Sequence, residues 1–149
     1  MAAGEGSRML PLTSSRPKVM LPVGGKPFIE HLVQRARKAG VTEIILVVGY
    51  RSESIKDKLK EGDYFGTKIK YAFQKEQQGT GHALMAAVGM TEDRFLVMNG
   101  DVLTDVASLS RMAEGEGLAV AAKKVAQIGD GEEPVTAIGS GQRRNLPSQ

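Results

Sequence analysis

Hydrophobic positions follow two different periods along this chain. From Phe28 to Ala39, Ile29, Leu32, Val33 and Ala36 recur at helical spacing, which predicts a helix with one apolar stripe. Pro27 suits its first turn and Gly40 stops it. Glu43 to Val48 is a nearly continuous β-branched run, the pattern of a strand buried on both faces. After Gly49-Tyr50-Arg51, Ser52 or Ser54 is placed to cap a short polar helix through Lys60. Lys68 to Phe73 alternates polar and apolar residues, which predicts a strand with one wet face near a sheet edge. Thr80 is placed to cap a helix from Gly81 to Val88 with Ala83, Leu84, Ala87 and Val88 inward. Arg94 to Met98 reads as another buried strand ending at Asn99-Gly100-Asp101, Asp105 as the cap of a helix to Met112, and Leu118 to Ala122 as a last strand.

Strands and helices therefore alternate, which predicts an α/β, Rossmann-like, doubly wound and mainly parallel sheet. Such sheets bind ligands beyond the C-terminal ends of their strands. Residues 1–125 carry the pattern. Residues 126–149 carry no period and read as a loop or disordered tail.

Bulk properties narrow the class. The 149 residues are 41% hydrophobic and 25% charged, as in ordinary globular domains. With no cysteine, disulfide and thiolate chemistry are excluded. No apolar run approaches the ~20 residues a membrane span needs, and the cytoplasm is the default compartment. The net charge of +3 is uneven. Arg8, Arg16, Lys18, Lys26, Arg35, Arg37 and Lys38 outnumber Glu5 and Glu30 in the first 38 residues. That excess suits phosphate. A nucleic-acid surface is the competing reading, weakened by seven aromatics in all and no sustained basic run.

The basic excess surrounds Ala2-Ala3-Gly4-Glu5-Gly6-Ser7-Arg8-Met9-Leu10-Pro11-Leu12-Thr13. Gly4 and Gly6 allow backbone to approach a ligand closely, and successive N–H groups in such a turn make an anion site. Neither a dinucleotide fingerprint nor a P-loop fits, because Met9 stands where a third glycine would be needed and Gly25-Lys26 runs into Pro27. A flexible solvated arm is the bland alternative.

The run Gly4-Glu5-Gly6-Ser7-Arg8-Met9, then Pro11-Leu12-Thr13, then Pro17-Lys18-Val19-Met20-Leu21-Pro22-Val23 resembles the signature of the sugar-1-phosphate nucleotidylyltransferases. The resemblance runs to about Val125. It implies the nucleotide-diphospho-sugar transferase fold and transfer of a nucleotide from a nucleoside triphosphate to a sugar 1-phosphate, with release of pyrophosphate. It also implies Mg²⁺ as cofactor.

On that resemblance Arg8 binds the triphosphate, Lys18 contacts the reacting phosphates, and Asp101 holds the metal. Ala3, Gly4, Gly6 and Ser7 supply backbone to the nucleotide. Gln74, Gly79 and Thr80 match positions that read a pyrimidine. Glu76-Gln77-Gln78-Gly79-Thr80-Gly81-His82-Ala83 is most like the uridylyltransferases for N-acetylglucosamine 1-phosphate, whereas Asn99-Gly100-Asp101 is similar to archaeal-type and mannose-1-phosphate branches. UTP or dTTP is favoured. Cytidylyl- or guanylyl transfer, and a non-catalytic relative on the same fold, stay as alternatives. Tyr50 and Arg51 are weaker candidates for the border of a sugar pocket. His31 and His82 read as a helix-surface and a first-turn residue.

Two departures stand out. The family opens with a strand of about five apolar residues leading into the glycine loop, and Met1 stands where that strand would end. The family also takes a second metal ligand from a later region. Both lead to the expectation of a fragment or mis-bounded reading frame whose sheet lacks its central strand and which need not be active alone. Expected partners are the nucleoside triphosphate and sugar 1-phosphate, with no nucleic acid and no membrane. Oligomeric state stays open, a homo-oligomer included.

Overall fold

The computed structural model describes residues 1–4, 6–49, 51–76, 78–115, 119–121 and 138–142. The strands are β1 (Pro22–Val23), β2 (Lys26–Pro27), β3 (Glu43–Val48), β4 (Lys68–Phe73), β5 (Arg94–Val97), β6 (Ala119–Ala121) and β7 (Ile138–Gln142). The helices are α1 (Phe28–Lys38), α2 (Ser52–Leu59), α3 (Gly79–Met85) and α4 (Val106–Glu114). β3 and β4 pair in parallel, Glu43 opposite Lys68 through Val48 opposite Phe73. β7 lies between β5 and β6, antiparallel to both. This is the α/β fold expected from the alternation of elements, and it is partial.

Amphipathic helices cover both faces. Ile29, Leu32 and Val33 of α1 join Leu46, Val48, Ile55, Leu59 and Ile69 in one core. Ala83 and Ala87 pack with Val47 and Ala72 in a second, on the other face. Side chains alternate along a strand, so Val47 and Val48 enter opposite cores. α1 ends in Arg35, Arg37 and Lys38, cations that complement the helix dipole. Arg35 also donates to the Thr104 carbonyl at 3.0 Å, tying α1 to the approach of α4.

β3 and β5 are not hydrogen-bonded to each other among the described residues. A cavity of about 390 Å³ separates them, lined by Ile45, Leu46, Leu96, Val97 and Met98 among others. Among the described residues, the chain start bridges it. Ala2 N donates to Val47 O at 2.7 Å, the Met1 amine to Met98 O at 2.6 Å, and Gly100 N to Met1 O at 2.7 Å. Met1 belongs to no strand.

Several local expectations need correction. β7 falls inside the stretch read as mostly loop or disordered tail, where Gly139 and Gly141 dilute the strand pattern. The rest of 126–149, with Leu118 and Ala122, lies outside the described residues. α3 begins at Gly79, so Thr80 is inside the helix and caps nothing; it ends at Met85, and a separate turn spans Val88–Met90. No side chain caps α2, because Arg51 enters it in left-handed backbone and Ser54 Oγ instead donates to Arg51 O at 3.0 Å. β5 is only half-buried, since its flank toward β3 faces the cavity. Asp105 caps α4 as expected, accepting Ser108 N at 2.8 Å.

Candidate active site

The elements converge at the C-terminal ends of β3, β4 and β5. The chain start leaves Val47 and turns at Gly6, whose φ of +65° is left-handed. A side chain there would meet Lys18 Cβ and Thr13 Cγ2. Buried Thr13 closes the turn, its Oγ1 donating to Gly6 O at 2.8 Å. Ser7–Met9 follows as one helical turn, and Lys18–Met20 forms another. From β4 comes Gln74, its backbone N donating to Val48 O at 2.8 Å. α3 brings Gly79 and Thr80, and the turn after β5 brings Asn99, Gly100 and Asp101. Gly100 passes so close to the Met1 carbonyl that a Cβ there would collide with it.

These segments enclose a cavity of about 550 Å³. Ala3, Gly4, Gly6, Arg8, Lys18, Gln74, Gly79, Thr80 and Asp101 all line it. The lining thus gathers the predicted site residues except Ser7, whose side chain lies outside the described residues, as does Tyr50. Arg51 is elsewhere, donating to Ser15 O at 3.0 Å. Eighty-three positions separate Lys18 from Asp101, yet Lys18 Nζ stands 3.0 Å from Asp101 Oδ2. Both side chains are about two-fifths exposed (40% and 44%), so the pair remains open to a ligand.

The cavity can therefore present backbone N–H groups, two cations and a carboxylate to one ligand. With Met1 as first residue, burial lowers its amine to about 6, against the opposing pull of Asp101, so that wall adds no third full cation at neutral pH. Gln74 is 4% exposed and makes a contact that sequence spacing did not reveal. Its Nε2 lies 3.1 Å from His82 Nδ1 and 3.4 Å from Gly79 O. Spacing in α3 puts His82 one turn from Gly79, but only the fold brings it against Gln74. His31 is also more than surface, its Nε2 lying 2.8 Å from Val23 O in the β1–β2 hairpin.

Among the described residues, no cluster of three or more carboxylate, histidine or cysteine ligands forms a preassembled metal cage, and no helix is long and apolar enough to cross a membrane.

Comparison with known proteins agrees with the geometry. The nucleotidyl transferase family model matches residues 1–139, extending past the limit at Val125 read from the sequence. "Bifunctional protein GlmU" of Methanococcus maripaludis strain C7 is 44% identical over 103 residues, 69% of this chain and 24% of that protein. "D-glycero-alpha-D-manno-heptose 1-phosphate guanylyltransferase" of Campylobacter jejuni is 35% identical over 116 residues, 78% of this chain and 52% of that protein. Among solved structures, UDP-glucose pyrophosphorylase complexed with UDP-glucose superimposes with a TM-score of 0.71 at 28% identity, covering 84% of this chain and 56% of that one. A putative glucose-1-phosphate thymidylyltransferase from Bacillus anthracis gives 0.73 at 27% identity, covering 95% and 69%. The chain spans about a quarter of the length of the GlmU proteins it matches. By the match over nearly its whole length, the chain belongs to the nucleotidyl transferase family.

Proposed function

We propose that this chain carries the nucleotide-binding half of a sugar-1-phosphate nucleotidylyltransferase site, transferring a nucleotide from UTP or dTTP to a sugar 1-phosphate and releasing pyrophosphate. The observation that carries the reading is the convergence of the glycine turn, Arg8, Lys18 and Asp101 on one cavity. Transfer proceeds by in-line attack of the sugar-phosphate oxygen on the α-phosphorus. The protein's task is then positioning and charge stabilisation. Backbone at Ala3, Gly4, Gly6 and Ser7 cradles phosphate, as oriented N–H groups do. Arg8 binds the triphosphate, and Lys18 offsets charge that gathers on the reacting phosphate oxygens.

Mg²⁺ fits this arrangement in one respect. It takes one or two carboxylates and completes its shell with phosphate oxygens and water. Asp101 is the carboxylate in the cavity lining that would hold it. When bound, the ion would supply charge neutralisation at the phosphates. Lys18 orients the Asp101 carboxylate meanwhile.

Gln74 supports the preference for base, since its amide oxygen can accept from a ring N–H. Guanylyl transfer is the second reading, favoured by the similarity to the Campylobacter enzyme. The test is pyrophosphate release from the purified chain with Mg²⁺, a panel of nucleoside triphosphates, and glucose-, N-acetylglucosamine- or mannose-1-phosphate. Release that requires both substrates, strongest with UTP or dTTP, supports the proposal. No release with any pair overturns transfer by this chain.

A further inference from the structure

We infer that His82 is a positioning residue: it locks the Gln74 amide so that the cavity accepts bases presenting a ring N–H, namely uracil, thymine or guanine, over cytosine and adenine. The inference rests on the nucleotide-site reading above and adds to it the group that sets the orientation of the base reader.

The argument begins with an acceptor. Gly79 O lies 3.4 Å from the amide of Gln74, and a carbonyl can only accept. The amide atom turned toward it is therefore the NH₂. The same Nε2 lies 3.1 Å from His82 Nδ1, so that ring nitrogen accepts too. His82 is thus the neutral tautomer with its proton on Nε2. The Gly79 contact is long, leaving His82 as the stronger of the two anchors.

An amide carries its oxygen on the edge opposite its nitrogen. With the NH₂ held by α3, Oε1 is left for a ligand. It takes no hydrogen bond among the described residues, and Gln74 lines the cavity. Gln74 is 4% exposed and fixed at its backbone by Val48, so the side chain has little freedom to turn over while His82 holds it. A fixed acceptor rewards the N3–H of uracil or thymine and the N1–H of guanine. Cytosine N3 and adenine N1 would set a lone pair against a lone pair. Leaving such a group unpaired costs about 1–3 kcal/mol, or ~10- to 100-fold in affinity.

Calorimetric titration of the full chain with UTP, GTP and CTP tests this, using wild type, His82→Leu and His82→Asn. Inorganic tripolyphosphate serves as a probe of the phosphate site alone. His82→Leu removes the acceptor, and the preference for UTP over CTP should fall ~10-fold or more. Tripolyphosphate affinity should not change. In His82→Asn, Oδ1 accepts close to where Nδ1 stood, and the preference should return. Thermal unfolding checks that both variants fold. A UTP-to-CTP ratio unchanged in His82→Leu, or not restored in His82→Asn, overturns the role of His82 while leaving the nucleotide site standing. Absence of both nucleotide and tripolyphosphate binding in wild type overturns the parent reading and this one together.

Discussion

Gly6→Ala separates the glycine turn's backbone geometry from its contact with the candidate phosphate site. Gly6 adopts φ +65°, and an added Cβ would lie 3.0 Å from Lys18 Cβ and 3.1 Å from Thr13 Cγ2. Gly25, in the turn between β1 and β2, has φ +80° but nothing within 4 Å of the same added atom. Left-handed backbone costs an L-residue roughly 1–2 kcal/mol, and loss of glycine's freedom in the unfolded chain returns about 0.4–1. Gly25→Ala should therefore destabilise by about 1 kcal/mol. Gly6→Ala carries that cost and a crowding cost as well. Thr13 is 2% exposed and bonded to Gly6 O, so it cannot retreat. Lys18 must move by a few tenths of an ångström. We expect about 1–2 kcal/mol beyond Gly25→Ala, in the usual range for overpacking. Urea unfolding measures both, and titration with UTP reads the site. The variant should lose UTP affinity while Gly25→Ala does not. Equal unfolding costs for the two variants, or wild-type UTP affinity in Gly6→Ala, would refute the reasoning.

Other expectations are as direct. Lys18→Ala should lower pyrophosphate release by about 100-fold or more with the fold intact, and a near-normal rate with unchanged circular dichroism removes Lys18 from the chemistry. Leu109 of α4 is 0% exposed, and Leu109→Ala should cost about 2–5 kcal/mol, read as a shift in the urea midpoint at constant slope. With Met1 as first residue, its amine titrates near 6 when folded against 8.0 for an ordinary terminus. The folded state disfavours the protonated form, so this contribution is fully present above about pH 8 and is lost as pH falls toward 6. Two units correspond to about 3 kcal/mol, and an N-acetylated chain should lack this part of the pH dependence.

Much of the architecture was legible because its signals are local. The β-branched run at 43–48 and the stripe on α1 each belong to one element, and the structure returns β3 and α1 almost to the residue. Residue types at fixed spacing pointed to Gly6, Arg8, Lys18, Gln74 and Asp101, which line one cavity. What escaped depends on partners distant in sequence. β7 carries two glycines and becomes a strand by pairing with β5 and β6. β5 reads as fully buried from its composition, yet its exposure is set by the cavity toward β3. The contact between Gln74 and His82 needs the end of β4 to meet α3, which no helical or strand period encodes.

The most direct test of the central claim is calorimetric titration of the chain with UTP in Mg²⁺, alongside a variant carrying both Arg8→Ala and Lys18→Ala. The account predicts saturable binding at one site in the wild-type chain and its loss in the double variant, with both proteins folded. No saturable binding by the folded wild-type chain, or equal binding by the two, would contradict the assignment of this cavity to a nucleoside triphosphate.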